Sequence, residues 1–132
     1  PPGGAPPPRG LLVANDSKPV RLRRLVDRTR RVPAAPLLVT NADARRFQPL
    51  VRASTGEPLR FDRVYCDVPC SGDGTLRKSR GHLERWSPGA GLAHHDTQLA
   101  ILRHGLDALA PGGVLAYSTC SLNPLECEAV VA

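Results

Sequence analysis

The sequence predicts an α/β fold in which helices cover a mostly parallel sheet. Short apolar runs alternate with segments of helical periodicity along residues 10–132. The runs are apolar at consecutive positions, which is typical of parallel strands covered on both faces. A polar or thiol side chain also follows each run, and ligands of such sheets bind at the carboxyl ends of the strands. We therefore expect the functional residues to gather at one edge of the sheet.

The first half of the chain predicts strand, helix and strand. Residues 1–9 are rich in proline and glycine, which indicates a linker or loop. GLLVAN (10–15) is typical of a buried strand, and PLLVT (36–40) of a second one. Between them, residues 18–32 have helical spacing. The apolar face contains Leu22, Leu25 and Val26, and the basic face contains Arg21, Arg24, Arg28 and Arg31. Pro33 ends this helix.

The second half predicts the order strand, helix, strand, helix. FDRVYCDV (61–68) is a third strand, and residues 69–93 are irregular. A leucine stripe predicts a helix over 92–110, followed by a Pro-Gly-Gly turn at 111–113 and a fourth strand over 114–118. A last helix opens at Asn123, with Pro124 in its first turn and Glu126 as the acid of a capping box.

Composition narrows the class of protein. Lys and Arg number 18 against 12 Asp and Glu, for a net charge of +6. An arginine-rich surface favours a polyanionic partner, although a GC-rich genome explains the same excess equally well. No apolar run reaches the roughly 20 residues of a membrane span, and no signal peptide is evident. The cysteine spacing does not indicate a disulfide framework, so we expect a reducing, intracellular compartment.

Acids and thiols follow the predicted strands. Asp16 and Asp43 stand where α/β folds bind the ribose and base of a nucleoside, although aspartate is also common in turns. At the end of the third strand, Asp67 and Cys70 lie on either side of Val68-Pro69, and Pro69 keeps Val68 extended and ends the strand sharply. Cys120 follows the fourth strand. The N-terminus of the helix predicted at Asn123 would favour the thiolate of Cys120. For Cys70, the alternative is a buried, inert cysteine in a tight turn.

Two motifs make the sequence recognisable. DVPCSGDGTLRK (67–78) and YSTCSLNPLECE (117–128) resemble the paired cysteine motifs of the NOL1/NOP2/Sun (RsmB/NOP) family of RNA cytosine-5 methyltransferases, and especially those of the eukaryotic tRNA enzymes. GLLVANDS (10–17) and NAD (41–43) also fit. The resemblance implies a Rossmann-like class I methyltransferase fold, an S-adenosylmethionine cofactor and an RNA partner, tRNA in the first instance. It also implies a monomer and, in a eukaryote, a nuclear location.

The resemblance assigns roles residue by residue. It implies that Cys120 adds to C6 of the target cytosine and that Cys70 assists release of the methylated RNA. It further implies that Asp67 binds the flipped base and borders the cofactor, while Asp16 and Asp43 hold the ribose and adenine of S-adenosylmethionine. RNA contacts are expected beside the site, where basic side chains accompany the one tryptophan, which could instead pack inward: Arg77, Lys78, Arg80 and Trp86.

The sequence departs from the family pattern in one important respect. A glycine-rich cofactor loop of the type DxCAAPGxKT is absent from these 132 residues, and they do not begin with Met. We therefore expect a partial catalytic domain over residues 10–132, incomplete at both ends, that binds the cofactor poorly and does not turn over alone.

Three alternatives remain open on sequence grounds. Four Cys and four His could form a zinc module, but no CxxC pair is present and we predict no metal. A DNA cytosine methyltransferase would use Cys70 as its nucleophile and would not need Cys120. A catalytically dead, RNA-binding fragment is the third alternative, and the missing cofactor loop favours it for this chain.

Overall fold

The computed structural model describes residues 10–30, 36–75, 77–78, 81, 84, 86–87 and 89–132. The predicted linker over 1–9 lies outside these residues, as do Arg31 and Pro33 at the end of the first predicted helix. The chain divides into two compact units, Pro1–Phe47 and Gln48–Ala132. Each contains a two-stranded parallel sheet, so the predicted α/β class is confirmed as a partial α/β fold with short parallel sheets.

The first unit is a strand–helix–strand crossover. Strand β1 (Leu12–Asn15) pairs in parallel with β2 (Leu37–Thr40), and helix α1 (Pro19–Thr29) lies between them in sequence. Pro19 suits the first turn of α1 because that position has no use for a backbone N–H. Leu22 is buried, and Arg21, Arg24 and Arg28 of the predicted basic face are exposed, as the periodicity indicates.

One side chain closes the carboxyl end of this sheet. The amide of Asn15 donates to the carbonyl oxygen of Ala42 (2.9 Å), and its Oδ1 accepts from Thr40 Oγ1 and from the N–H of Ala42, both at 3.0 Å. These bonds satisfy polar groups that would otherwise lie half-buried beyond the last strand pair. Asn15 therefore fixes the turn that carries Asp43.

The second unit repeats the parallel pairing on a larger scale. Strand β3 (Phe61–Asp67) pairs with β4 (Leu109–Ser118), and helix α2 (Ala90–Asp107) lies in the crossover. Among the described residues of this unit, the buried apolar side chains are Cys66, Val68, Leu102 and Val130. The register aligns Asp67 with Ser118, so both strands end at the same edge of the sheet.

Two predicted boundaries in this unit are wrong. Helix α2 ends at Asp107 rather than at 110, because Leu109 already pairs with Phe61 and begins β4. The Pro-Gly-Gly segment is absorbed into β4 as an irregularity, where the register shifts between Phe61 and Arg63. Gly112 supplies the positive φ (78°) that this bulge requires.

The last predicted helix is also shorter than expected. Residues 124–127 form hydrogen-bonded turns, and helix α3 spans only Glu128–Val131. Asn123 Oδ1 does accept from the N–H of Leu125 (3.0 Å), as a capping side chain would. However, the carboxylate of Glu126 does not return to Asn123, because it is drawn into a buried hydrogen-bond network.

Candidate active site

Two cysteines meet where β3 and β4 end. Cys70 Sγ lies 3.1 Å from Cys120 Sγ, and the N–H of Cys120 donates to Cys70 Sγ at 3.3 Å. Because Asp67 and Ser118 are register partners, the short segments after them run along the same sheet edge. The structure thus brings together two thiols that are 50 residues apart in sequence.

The two thiols differ in environment. Burial raises the pKa of Cys70 to about 11, and its hydrogen bond with Cys120 adds to this effect. Cys120 is exposed. At neutral pH, Cys70 is therefore held as a thiol, while Cys120 is the thiol that a ligand can reach. The prediction that a helix N-terminus lies next to Cys120 and favours its thiolate is wrong, because α3 begins only at Glu128.

A buried carboxylate accepts hydrogen bonds from both cysteine loops. Glu126 is 0% exposed and accepts hydrogen bonds from the N–H of Ser71 (2.8 Å), from Ser71 Oγ and from Ser121 Oγ (2.8 Å). Gln98 Nε2 donates to it at 3.0 Å from helix α2. Burial alone would raise the pKa of Glu126, but these donors outweigh it and hold the pKa below its usual value.

Gln98 anchors this network to the helix. Its side chain is 0% exposed, and Nε2 also donates to the carbonyl oxygen of Pro69 at 2.9 Å. Its Oε1 is buried and has no hydrogen-bond partner in the described part of the chain. Turning the amide over would place Oε1 against two acceptors, the Glu126 carboxylate and the Pro69 carbonyl, so the observed orientation is the favoured one.

Residues of the loop that follows Cys70 hold the backbone of the Cys120 segment by hydrogen bonds. The N–H of Gly74 donates to the carbonyl oxygen of Cys120 (3.0 Å), and Asp73 Oδ1 accepts from the N–H of Leu122 (2.8 Å). Burial opposes ionisation of Asp73, but such backbone donors prevail and its pKa is lowered. The two loops are thus joined at the carbonyl of Cys120 and again at Leu122, two residues later.

Replacing Gly74 by alanine should disturb this junction. A Cβ at Gly74 would lie 2.7 Å from the carbonyl oxygen of Cys120, a backbone atom that cannot rotate away. We expect Gly74→Ala to lower the free energy of unfolding by about 1–3 kcal/mol, as overpacking does. Gly89→Ala is the control, because a Cβ there meets nothing within 4 Å. Denaturant unfolding measures both, and equal stability of the two variants would contradict the prediction.

Asp67, predicted to bind a base, is available to a ligand. It is the last residue of β3, it is exposed, and its carboxylate makes no hydrogen bond or ion pair to the residues that the structure describes. An unpartnered carboxylate at a strand end can accept hydrogen bonds from an amine.

The predicted cofactor acids lie in the first unit and are already partnered. Asp16 accepts from the N–H of Lys18 (2.8 Å) and pairs with Arg21 (3.1 Å). Asp43 accepts from the N–H of Arg45 (2.9 Å) and from its guanidinium (2.6 Å), and this guanidinium bond lowers the pKa of Asp43 to about 2. A carboxylate has about four acceptor positions, so Asp16 retains room for a ribose hydroxyl, whereas Asp43 would share its oxygens with Arg45.

The predicted RNA-contact residues are only partly described. Arg77 and Lys78 are exposed, and Trp86 is 51% exposed, which disfavours the alternative of an inward-packed indole. Arg80 lies outside the described residues.

Neither a metal cluster nor a membrane span is found among the described residues. No group of three or more His, Cys, Asp or Glu side chains is arranged to hold a metal ion there. No helix within those residues is long and apolar enough to cross a membrane.

Sequence reasoning missed the network around Glu126. Its members are Ser71, Gln98, Ser121 and Glu126. A signal was nevertheless present, because a serine directly follows each of Cys70 and Cys120. The two serines place a hydroxyl donor next to each thiol, but only the fold reveals that both hydroxyls donate to the Glu126 carboxylate.

Two tRNA methyltransferases are similar in sequence to most of this chain. A multisite-specific tRNA:(cytosine-C(5))-methyltransferase from Saccharomyces cerevisiae is 48% identical over 95% of this chain and 19% of its own length. A tRNA (cytosine(34)-C(5))-methyltransferase from Drosophila melanogaster is 44% identical over 94% of this chain and 17% of its own. The chain thus spans less than a fifth of either relative.

A solved structure and a family model complete the comparison. NSun6 from Pyrococcus horikoshii, solved with SFG, superposes with a TM-score of 0.73 at 27% identity, over 93% of this chain and 29% of that one. The model of the family described as 16S rRNA methyltransferase RsmB/F matches residues 6–132. This chain therefore belongs to the RsmB/F methyltransferase family.

Proposed function

We propose that the protein methylates C5 of cytosine in RNA, with tRNA as its substrate and S-adenosylmethionine as its cofactor. The observation that carries the proposal is the pair of thiols 3.1 Å apart, one exposed and one held protonated, at the ends of β3 and β4. The names of the eukaryotic relatives support the substrate and the position methylated.

The proposed chemistry assigns a different step to each thiol. The Cys120 thiolate forms a bond to C6 of the cytosine, which makes C5 electron-rich enough to accept a methyl group. S-adenosylmethionine would supply that methyl group. Methyl transfer would leave S-adenosylhomocysteine. The proton on C5 then passes to water, and the C5–H electrons form the C5=C6 bond again as the C6–S bond breaks. Cys70 donates its proton to the leaving sulfur, and that proton returns to Cys70 when Cys120 ionises for the next cycle. Asp67 would bind the base, which must leave its stack to reach the site.

The proposal also covers the cofactor and the RNA contacts. Asp16 would bind the ribose of the cofactor, and Asp43 its adenine while sharing Arg45. SFG, found with the archaeal NSun6, is an analogue of S-adenosylmethionine. The exposed side chains of Arg77, Lys78 and Trp86 would contact RNA phosphates and bases. Arg80, which lies outside the described residues, is proposed to act with them. We further propose a monomer that acts in the nucleus if the organism is a eukaryote.

The 132 residues alone are proposed to be inactive. The glycine-rich loop that completes the family's cofactor site is not among them. Activity and its tests therefore concern the full-length protein.

Trapping with RNA that contains 5-azacytidine tests the proposal. We expect the full-length protein to form a covalent adduct, seen as a band of reduced mobility on a denaturing gel. Cys120→Ala should abolish the adduct, because the nucleophile is removed, and Cys70→Ala should retain it. The reverse pattern would indicate the Cys70 chemistry of DNA cytosine methyltransferases. RNA binding without any adduct in the wild type would indicate a binding protein without catalysis.

A further inference from the structure

We propose that Glu126 is a positioning residue whose carboxylate sets the spacing between the sulfur atoms of Cys70 and Cys120. Its importance for catalysis rests on the proposed function, whereas its effect on the spacing does not. Glu126 is 0% exposed, so it acts through the two loops rather than on the RNA.

One carboxylate joins the two cysteine loops at the residues that directly follow the cysteines, in addition to the bonds that Gly74 and Asp73 make. Ser71 directly follows Cys70, and its N–H lies 2.8 Å from Glu126 Oε2. Ser121 directly follows Cys120, and its hydroxyl lies 2.8 Å from Glu126 Oε1. The separation of the loops is therefore limited by the width of one carboxylate group plus two hydrogen bonds.

The chemistry of the neighbours requires an acceptor on both oxygens. The hydroxyl of Ser121, the N–H of Ser71 and the amide of Gln98 all donate, and no ion pair within the described residues includes Glu126. A carboxylate accepts at both oxygens, whereas an amide would turn an NH₂ group toward one of these donors. The hydrogen bonds are charge-assisted, which makes them shorter and stronger than neutral ones.

Helix α2 makes the arrangement stiff. Gln98 donates to Glu126 and to the carbonyl oxygen of Pro69, the residue before Cys70. The Cys70 loop is thus held on both sides of its cysteine, by Gln98 before it and by Glu126 after it. The Cys120 loop contacts the Glu126 carboxylate through the Ser121 hydroxyl, and Gly74 and Asp73 hold it farther from the carboxylate.

Cross-linking with dibromobimane tests the spacing directly. This reagent becomes strongly fluorescent only when two neighbouring thiols react with the same molecule. In the full-length protein we expect Glu126→Gln to slow the fluorescent cross-link about tenfold, because charge-assisted bonds that hold the loops are lost. Glu128→Gln is the matched control, since Glu128 is exposed two residues away and its side chain makes no described contact. Cys70→Ser should abolish the signal and so identifies the reacting pair.

Measuring the turnover of the same variants is a second test of the spacing effect. A spacing effect should lower kcat about 10- to 100-fold, because small misplacements of reacting groups are costly, while KM for RNA stays nearly constant. Glu126→Asp keeps the charge on a shorter side chain and should restore part of both the cross-linking rate and kcat. An unchanged cross-linking rate in a folded Glu126→Gln protein would overturn the proposal. Absence of any RNA adduct in the wild type would instead overturn the proposed function and leave the cross-linking result intact.

Milder variants apply if Glu126→Gln does not fold. Ser71→Ala and Ser121→Ala each remove one hydroxyl donor and leave the carboxylate in place. Each should slow cross-linking less than tenfold, and the double variant should slow it more than either alone. Cross-linking at the wild-type rate in the double variant would also overturn the proposal.

Discussion

Cys70→Ala should lower methylation turnover by about 100-fold or more while the covalent RNA adduct accumulates with ordinary substrate, the size of effect expected for loss of a general acid. The reason lies in the unequal thiols. Cys70 has a pKa of about 11 and therefore carries its proton at any physiological pH. It lies 3.1 Å from the sulfur that must leave C6, which is within reach for donating that proton.

The measurement is a time course of methyl transfer from radiolabelled S-adenosylmethionine, with the adduct quantified on denaturing gels. Cys66→Ala is the matched control, because Cys66 is buried in the second unit and outside the thiol pair. If Cys70→Ala reduces turnover without accumulating adduct, Cys70 acts before release and the assigned role is wrong.

Glu126→Gln should lower the free energy of unfolding by about 2–4 kcal/mol at neutral pH, because hydrogen bonds to a charged group are lost and buried donors are left unmatched. The effect should depend on pH. The folded-state pKa of Glu126 lies below its usual value of 4.5, so its contribution is fully present above about pH 4.5. It should be lost as the pH falls through the lowered folded-state value.

Thermal unfolding followed from pH 7 to pH 3 checks this dependence. The wild type should lose stability at the acid end, and the gap between wild type and Glu126→Gln should narrow there. Glu128→Gln should follow the wild type throughout, since Glu128 is exposed. A gap that stays constant with pH would show that Glu126 stabilises the fold by packing rather than by its charge.

Local patterns were sufficient for the element order and for the meeting of the two thiols. Apolar runs followed by Pro69 or by polar residues locate strand ends, and parallel strands bring their carboxyl ends to one edge. Boundaries failed where tertiary pairing overrode local preference. Leu109 continues a leucine stripe in sequence, but its pairing with Phe61 draws it into β4.

The hydrogen-bond partners of Glu126 could not be predicted from the neighbouring sequence. Its position three residues after Asn123 fits a capping box, which uses the carboxylate within its own turn. In the structure, donors from Ser71 and Gln98, 55 and 28 residues away in sequence, compete for the same oxygens and displace that local interaction. The competing donors are visible only once β3, β4 and α2 are assembled.

The register of β3 and β4 determines how far apart the two sulfur atoms lie. Asp67 lies opposite Ser118, and the cysteines follow three and two residues later. One additional residue in either segment would move its thiol by roughly 3.3 Å, the rise of an extended residue, which exceeds the present gap between the sulfurs. Chain length can therefore vary in the loop before β3 at little cost to the site, whereas the few residues between strand end and cysteine cannot change in number.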